Sequence, residues 1–286
     1  MPNPVTKLVS GGGNMVYAIF SASLLLAVGA VYAAAVGWLY FRQERLLFEP
    51  DPLPEDEPVC NDPDTREIFI DVPGAKLSVA RMALPDPRGV FFFLHGNSGN
   101  LKKWFVDLDA FRQANFDVVM FDYRGFGKSS GQIESEEQLR ADVRAVWEHF
   151  ATMYAGKRVV ISGQSLGTGL AAGLAAQLCS DGKAPDLTLL VSAYSSMRAL
   201  AGELYPWVPV QVLRYPLHTL EHAAKLLGPV MLIHGDKDEL IPIHHGETLC
   251  SAMRSAELVR VTGAGHSDVH QFPTARKALM AALERL

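Results

Sequence analysis

The pentapeptide Gly163-Gln164-Ser165-Leu166-Gly167 is the segment whose residue types and spacing point most directly to chemistry. It follows the apolar run Val159-Val160-Ile161 and opens an apolar, helix-forming stretch, so we expect a strand, a tight turn and a helix. In that setting G-x-S-x-G holds its serine on a strained turn above the sheet, and the glycines let strand and helix approach closely. We therefore predict that Ser165 is a nucleophile; the plain alternative is a helix N-cap.

A serine hydroxyl is a weak nucleophile and needs a general base to remove its proton. His266 is our candidate, because it follows the strand pattern Leu258-Val259-Arg260-Val261 and the turn Gly263-Ala264-Gly265. A residue directly after a strand lies at the carboxyl edge of a parallel sheet, where we also expect Ser165. The plain alternative is a structural loop histidine, and the second choice as base is His270, one turn into the final helix.

The base needs an acidic residue that orients it, and proteins with this serine motif place that residue between the serine and the histidine. The segment His234-Gly235-Asp236-Lys237-Asp238-Glu239 follows the apolar run Val230-Met231-Leu232-Ile233 and supplies the candidates. We prefer Asp238, because it lies farther round the turn. Asp236 is expected to brace the loop.

An acyl-transfer site also needs two main-chain N–H groups that stabilise a developing oxyanion. The first is expected at Leu166, directly after the nucleophile and at a helix N-terminus. The second is expected at Asn97, in the loop His95-Gly96-Asn97-Ser98-Gly99-Asn100. His95 precedes the serine in the chain, and we expect it to brace this loop.

Histidines and cysteines elsewhere in the chain raise the question of a metal site. His244 and His245 are adjacent, so we expect their side chains to point in different directions, and His234 is set aside with them. The cysteines are widely spaced and form neither a zinc pattern nor a disulfide pattern; they are Cys60, Cys179 and Cys250. We therefore predict no bound metal and no organic cofactor.

Short apolar runs alternate with helical stretches along residues 66–286. Such runs are typical of strands buried on both faces of a sheet, and their alternation with helices predicts a doubly wound, mostly parallel α/β sheet. The predicted strands are Arg66 to Val72, Leu77 to Leu84, Val90 to Leu94, Val118 to Phe121, Arg158 to Ser162, Leu187 to Val191 and Val230 to Ile233. Two predicted helices are Glu136 to Tyr154 and Leu166 to Cys179.

Residues 195–227 interrupt this alternation with an apolar, proline-punctuated insertion that includes Leu204-Tyr205-Pro206-Trp207. We expect a small helical cap over the carboxyl edge of the sheet, and an ordinary long crossover is the alternative.

The N-terminal region differs in composition from the rest of the chain. Residues 15–41 are almost wholly apolar and, as a helix, are long enough to cross a membrane. We expect a single-pass anchor after a tail of residues 1–14, with a linker over residues 42–65. A cleaved signal peptide is the alternative, but the apolar run exceeds the usual signal length. The cations on its two flanks are too evenly placed to set the orientation.

The bulk composition restricts the classes of partner. Apolar residues make up 49% of the 286 residues, which suits a folded domain with a large core. The formal net charge is −5, and no stripe of lysine or arginine is visible, so we expect no nucleic-acid partner. The oligomeric state stays open.

Together these motifs resemble the Bem46-like branch of the α/β-hydrolase superfamily, which includes the animal α/β-hydrolase domain-containing proteins of types 13 and 17 and many bacterial membrane-anchored hydrolases. The resemblance runs from about Glu44 to the C-terminus. It implies Ser165, Asp238 and His266 as a catalytic triad, a structural role for the loop from Asp122 to Gly131, and a location in the bacterial inner membrane. Ser267 departs from the pattern, since relatives commonly carry asparagine after the histidine. The segments that carry the resemblance, beyond the serine and acid motifs above, are Gln43–Pro50, Leu94–Asn100, Asp122–Gly131, Leu204–Trp207 and Gly265-His266.

We therefore expect a serine hydrolase that cleaves carboxylic esters through an acyl-enzyme on Ser165. The membrane anchor and the aromatic insertion favour a lipophilic or acylated substrate. A second hypothesis is a thioesterase that removes acyl chains from proteins or lipids. A third, of another class, is a catalytically inactive scaffold held at the membrane.

Overall fold

The chain folds into two compact units, which divide between Gln43 and Glu44. The structure is a computed structural model, and it describes the backbone of residues 5–286 together with the side chains of residue 15 and residues 17–286.

The first unit is formed by one long helix, α1 (Val5–Phe41). Its segment Tyr17–Phe41 has a mean hydropathy of 2.2 and is long and apolar enough to span a membrane. Large apolar side chains on it, such as Leu25 and Leu26, are exposed. The helix begins within the tail predicted over residues 1–14, and residues 1–4 of that tail lie outside the described residues.

In the second unit, eight strands form a single sheet in the described part of the chain. The strands are β1 (Thr65–Val72), β2 (Ala75–Met82), β3 (Gly89–Leu94), β4 (Phe116–Phe121), β5 (Arg158–Gln164), β6 (Leu187–Val191), β7 (Val230–Gly235) and β8 (Ala256–Val261). Their order across the sheet is β8-β7-β6-β5-β3-β4-β2-β1. Each pair of neighbours in the part of the sheet that runs from β8 to β4 is parallel, whereas β2 is antiparallel to both β1 and β4. This confirms the predicted α/β-hydrolase fold with a mostly parallel, doubly wound sheet.

Alternate residues along the central strands contribute to two hydrophobic cores, one on each face of the sheet. Phe92 of β3 and Ile161 of β5 belong to the core that also contains Leu170. Their neighbours in sequence, Phe91 and Val160, belong to the other core. Because successive side chains of a strand point to opposite faces, a sheet covered on both sides needs apolar residues at every position. The continuous apolar runs of the sequence follow from this arrangement.

Strand β4 begins at Phe116, two residues before the predicted start at Val118. The prediction began later because Asp117 interrupts the apolar run. Asp117 is fully buried within the strand. Its carboxylate accepts hydrogen bonds from Arg81 Nη2 at 2.8 Å and from the Tyr154 hydroxyl at 2.5 Å. A buried charge is tolerated when it is paired and hydrogen-bonded in this way. Asp117 therefore lies within the strand, although the prediction placed it just before the strand.

Helices cover the two faces of the sheet and connect its strands. The N-cap of the helix Glu136–Ala151 is Ser135, whose side chain accepts a hydrogen bond from the Gln138 N–H, as the Ser-x-x-Gln spacing favours. The helices after α1 are α2 (Gln43–Leu47), α3 (Leu101–Trp104), α4 (Asp109–Ala114), α5 (Glu136–Ala151), α6 (Leu166–Ser180), α7 (Met197–Leu204), α8 (Thr219–Ala223), α9 (His244–Ala252) and α10 (Pro273–Glu284), with short 3₁₀ turns at Val210–Val212 and Val269–Gln271.

Residues 44–65, expected as part of a linker, lie within the second unit. Glu49–Pro50 pairs in parallel with Ser98–Gly99, and Phe48 is buried with its ring 5.2 Å from that of Tyr215. These contacts are made by the main chain and by one aromatic side chain, so the proline-rich and acidic composition of the stretch does not reveal them. The connection to α1 is therefore shorter than predicted.

The insertion between β6 and β7 contains α7, one 3₁₀ turn and α8. Tyr215 and Leu217 are buried in it, and α8 packs against α6 and α9. Leu204, Tyr205 and Trp207 are exposed. A role for residues 195–227 as a cap stays a prediction.

Candidate active site

Ser165 lies on the turn that joins β5 to α6, in a backbone conformation that residues other than glycine rarely adopt. Its φ is 52° and its ψ is −120°, and its main-chain N–H donates to Val191 O at 3.0 Å. A residue other than glycine in such a conformation stores strain that the surrounding structure must hold, and such strain is concentrated at functional sites. The turn thus has the form that the serine motif predicts.

Two glycines allow the start of α6 to lie directly against the sheet. A Cβ atom on Gly163 would lie 2.2 Å from Gly167 O, and one on Gly167 would lie 2.0 Å from Leu94 O. Both neighbours are main-chain atoms, which cannot move aside as a flexible side chain would. The spacing G-x-S-x-G therefore reflects two places where the backbone approaches too closely for any side chain.

Three side chains that are far apart in sequence form one chain of hydrogen bonds. His266 Nε2 lies 3.0 Å from Ser165 Oγ, and His266 Nδ1 lies 2.8 Å from Asp238 Oδ2. The Asp238 side chain is fully buried, and that of His266 is 18% exposed. With Nδ1–H donating to the carboxylate, Nε2 is left free to accept the serine proton. The structure thus brings together all three residues predicted from the sequence.

The carboxylate of Asp238 is held by its own loop as well as by His266. Its Oδ1 accepts hydrogen bonds from the main-chain N–H groups of Leu240 at 3.1 Å and Ile241 at 2.8 Å. Burial acts to raise the pKa of Asp238, but hydrogen bonds from His234, His266 and Ile241 outweigh it and hold that pKa well below its usual range. Asp238 is therefore ionised at neutral pH, as a group that orients an imidazole must be.

His234 supports the acid loop, a role that the sequence analysis missed. Its side chain is fully buried, its Nε2–H donates to Ile241 O at 2.8 Å, and the same nitrogen lies 3.5 Å from Asp238 Oδ2. The ring lies against Gly246, where a Cβ would come within 2.8 Å of Nδ1. The only sequence signal was the position of His234 near the end of a buried strand, four residues before the acid.

Asp236 and His270, the alternative acid and base, take no part in the hydrogen-bond chain of Ser165, His266 and Asp238. Asp236 Oδ1 accepts a hydrogen bond from Gly263 N at 2.8 Å, so that it joins the acid loop to the loop that carries His266. His270 lies in the short 3₁₀ turn before α10, not one turn into that helix as expected. Its carbonyl accepts from Arg276, and it lines the cleft described below without joining the hydrogen-bond chain.

The loop after β3 lies beside Ser165, as predicted for an oxyanion-stabilising loop. A Cβ on Gly96 would lie 3.8 Å from Ser165 Cβ. Asn97 is fixed through its side chain, which donates to Leu47 O at 3.2 Å, and through its carbonyl, which accepts from Glu49 N at 2.8 Å. These contacts join the loop to the end of α2 and to the segment that follows it.

A buried histidine and aspartate lie beneath this loop. His95 Nδ1–H donates to Gly96 O at 2.7 Å, and its Nε2 lies 3.6 Å from Asp122 Oδ1, with both side chains fully buried. Burial lowers the pKa of His95 to about 4 and raises the pKa of Asp122 to about 7. The Tyr123 hydroxyl donates to His95 O at 2.8 Å. His95 thus contacts the loop that it was expected to brace.

A cleft of about 1190 Å³ opens beside Ser165 and His266. This volume exceeds the roughly 300–1,000 Å³ of ordinary small-molecule pockets. Its lining includes residues of the central strands, the loop after β3, α3, α4 and α10, and residues 195–227 contribute nothing to it in the described part of the chain. Apolar side chains that line it include Phe91, Phe111, Val118, Leu189, Ile233 and Leu279.

The expectation that His244 and His245 point in different directions is wrong. Their rings stack with centroids 4.5 Å apart and an interplanar angle of 27°. Both rings approach the carboxylate of Glu203. Neighbouring side chains at the first turn of a helix can adopt rotamers that lean the same way, and sequence adjacency alone does not exclude this.

With the fold and the site described, comparison with known proteins places the chain. The model of the serine aminopeptidase S33 family (Hydrolase_4) matches residues 85–214. The Mycobacterium tuberculosis protein Rv2307c is 28% identical over 253 residues, which cover 84% of this chain and 86% of that protein. Human α/β-hydrolase domain-containing protein 17B is 31% identical over 194 residues, which cover 66% of this chain and 64% of that protein.

Solved structures show the same fold at low sequence identity. The Pyrococcus furiosus esterase PF2001 gives a TM-score of 0.63 at 18% identity, covering 84% of this chain and 97% of that one. The thioesterase domain from the curacin biosynthetic pathway gives a TM-score of 0.58 at 16% identity, covering 77% and 99%. The chain therefore has the α/β-hydrolase fold and is similar in sequence to α/β-hydrolase domain-containing proteins.

The close contact at Gly167 makes a first prediction. In Gly167→Ala the new Cβ would meet Leu94 O, so α6 must shift and Ser165 must move away from His266. We expect ester hydrolysis by this variant to fall at least about 100-fold, since a shift of about 1 Å at a reacting group costs that much. Turnover of a p-nitrophenyl ester measures it. Gly29→Ala, in α1, where an added Cβ would meet nothing within 4 Å, provides the control, and equal rates in the two variants would contradict the contact.

The raised pKa of Asp122 makes a second prediction. A carboxyl group whose pKa is about 7 when folded and about 3.9 when unfolded binds more protons in the folded state between these values. It therefore reduces stability progressively as pH rises through that window, and its effect levels off above pH 7. In Asp122→Asn this titration is absent, so the free energy of unfolding of the wild type relative to the variant should fall from pH 5 to pH 8.

Urea unfolding at several pH values tests this difference. Asp71→Asn, at an exposed position, is the control and should show no such trend. A wild-type advantage that stayed constant with pH would show that Asp122 is ionised throughout.

Proposed function

We propose that this protein is a serine hydrolase that cleaves carboxylic esters through an acyl-enzyme on Ser165. The hydrogen-bond chain from Ser165 through His266 to Asp238 carries the proposal. In the first step His266 Nε2 takes the Oγ proton as Oγ attacks the ester carbonyl. The main-chain N–H groups of Asn97 and Leu166 stabilise the oxyanion.

The second half of the reaction uses the same groups in reverse. The protonated His266 gives its proton to the leaving alcohol, and the C–O bond to the alcohol breaks. Water then attacks the acyl group while His266 removes its proton, and the proton returns to Ser165 Oγ as the acid leaves. Asp238 stays ionised throughout and stabilises the imidazolium, a role that its low pKa supports.

The apolar lining of the cleft favours recognition of a long acyl group of the substrate. It opens at Ser165 and is lined by buried apolar side chains such as Phe91, Val118 and Leu189. Each buried CH₂ group contributes about 0.8 kcal/mol, which is about a fourfold gain in kcat/KM if the contact persists in the transition state. An acyl chain would therefore be selected by length.

Anchoring by α1 fits such a substrate, because an acylated molecule is found at a bilayer surface. Its segment Tyr17–Phe41 has the length and hydropathy of a membrane span. We propose that it holds the hydrolase unit at the membrane where acyl groups are available. Removal of the segment as a signal sequence is the rival, and the mass of the protein recovered from membranes distinguishes the two.

An acyl thioester is the second candidate substrate. The cleft accounts for the acyl half of the substrate, which esters and thioesters share, so both remain compatible with the site. An ester and a thioester of equal chain length, compared by kcat/KM, separate the two activities. The third hypothesis, an inactive scaffold, requires that Ser165 be unreactive in the folded protein.

Substitution of Ser165 tests the chemistry. We expect Ser165→Ala to abolish fluorophosphonate labelling and to reduce kcat for p-nitrophenyl esters by at least about 10⁴-fold, because removal of the nucleophile leaves only the residual effect of the oxyanion site. Ser251→Ala, on the exposed face of α9, is the matched control and should keep both activities. Labelling that survived in Ser165→Ala would refute the assignment.

Chain length tests the role of the cleft. We expect kcat/KM for p-nitrophenyl esters to rise by about fourfold for each added CH₂ until the cleft is filled. Leu279 lies on α10 and lines the cleft, so Leu279→Trp fills part of the cleft. This variant should prefer esters with a shorter acyl chain than the wild type does, and it should hydrolyse the acetate ester at the wild-type rate. An equal loss for short and long esters would show that the acyl chain binds elsewhere.

A further inference from the structure

Three side chains form a cluster that has no part in the reaction described above. Glu203 lies near the C-terminus of α7, and His244 and His245 are the first two residues of α9. One nitrogen of each histidine and a carboxylate oxygen of Glu203 lie within 4.8 Å of one another. Residues from two separate helices thus converge on one point.

Two distances within the cluster are close to those around a small tetrahedral cation. His244 Nε2 lies 3.1 Å from Glu203 Oε2, and His245 Nε2 lies 3.5 Å from the same oxygen. Around Zn²⁺, nitrogen and oxygen ligands at about 2.0–2.1 Å lie about 3.3 Å from one another along the edges of a tetrahedron. The two nitrogens lie within 4.8 Å of each other, so a small movement of the exposed His244 side chain completes the arrangement.

The buried histidine has a nitrogen that lacks a partner. The side chain of His245 is only 2% exposed, yet its Nε2 forms no hydrogen bond within the described residues. An unsatisfied polar atom in a buried side chain is costly unless something binds it. This nitrogen faces the Glu203 carboxylate, which is the direction in which a bound cation would lie.

The other nitrogen of His245 has a hydroxyl partner that can fix the ring. Its Nδ1 lies 2.9 Å from Ser195 Oγ, and it accepts a longer hydrogen bond from the Ser195 main-chain N–H at 3.3 Å. Metal-bound histidines usually donate their second N–H to an oxygen, which fixes the tautomer and the ring. With Nε2 on the metal, Nδ1 carries the proton and donates to Ser195 Oγ, so zinc binding breaks the hydrogen bond from Ser195 N–H.

Charge and access also favour a cation. In the part of the chain that the structure describes, no lysine or arginine is ion-paired with Glu203, so its carboxylate is available. The side chains of His244 and Glu203 are about half exposed, which leaves a path from solvent. Two histidines and one glutamate also form a common zinc-binding set, with a fourth position open to water.

We propose that Glu203, His244 and His245 bind a Zn²⁺ ion that links α7 to α9. Glu203 and His244 supply the exposed ligands, and His245 supplies the buried ligand. The ion ties the insertion between β6 and β7 to the helix that follows the Asp238 loop. This site is independent of the ester hydrolysis proposed above.

Metal binding by the full-length protein in detergent micelles tests the proposal. After treatment with a chelator and dialysis, calorimetric titration with ZnCl₂ should show one site with micromolar affinity or better. Co²⁺ in place of Zn²⁺ should give the intense visible absorption of a tetrahedral complex. On zinc binding, amide hydrogen exchange in α7 should slow, because the ion joins that helix to α9.

Glu203 and His244 are exposed, so substitutions there test the site without disturbing the core. Glu203→Gln and His244→Ala should each weaken zinc binding at least 100-fold. Ser195→Ala should weaken it about 10- to 100-fold, as loss of an outer hydrogen-bond partner does. The matched control is His218→Ala, because His218 and Glu221 form a partly exposed pair 3.4 Å apart without a third ligand; it should bind zinc as the wild type does.

Three results would overturn the proposal. The first is a wild-type protein that binds no zinc at micromolar concentration. The second is a Glu203→Gln variant with wild-type affinity. The third is an equal loss of affinity in His218→Ala, which would indicate scattered surface binding by histidines.

Discussion

The close approach of α6 to the edge of the sheet is the constraint on which the rest of the site depends. At Gly163 and Gly167 main-chain atoms come nearer than any Cβ would allow, and the serine between them is held at a φ of 52°. This contact lifts the Ser165 hydroxyl above the sheet and directs the first turn of α6 toward the same point. The other groups of the site need only reach one fixed position.

Loops from three other strands reach that position, and each is braced by a residue that does not touch the serine. His234 and Asp236 hold the acid loop and join it to the loop of His266. His95 holds the loop after β3 from beneath. Precise placement of reacting groups depends on such supports, because about 1 Å of displacement at a reacting atom costs about 100-fold in rate. The parallel sheet brings all four loops to one edge, so the fold and the chemistry are linked by strand direction.

Much of this arrangement was predictable, because it follows from local rules. The strand-turn-helix at Ser165, the buried strands and the positions of Asp238 and His266 directly after strands all leave a pattern in the sequence. The G-x-S-x-G spacing carries the steric requirement itself. Fold class and hydrogen-bond chain therefore followed from motif order and apolar periodicity.

Features that depend on tertiary contact were not predictable in the same way. Residues 44–50 read as a linker, yet their main chain pairs with the loop at Ser98 and their Phe48 is buried. His234 and Asp117 are polar residues within apolar strands, and they are hydrogen-bonded to Ile241, 7 positions away, and to Arg81, 36 positions away. The stacking of His244 on His245 depends on side-chain rotamers and on Glu203, 41 residues earlier. Sequence adjacency suggested the opposite.

The central claim is that an acyl group becomes bonded to Ser165 Oγ during turnover. Mass spectrometry of the full-length protein, quenched in acid during hydrolysis of a long-chain p-nitrophenyl ester and then digested, measures this directly. We predict a mass increase equal to one acyl group on the peptide that contains Ser165, and its disappearance when the ester is exhausted. Turnover with no adduct on that peptide, or with the adduct on Cys60, Cys179 or Cys250, would contradict the account.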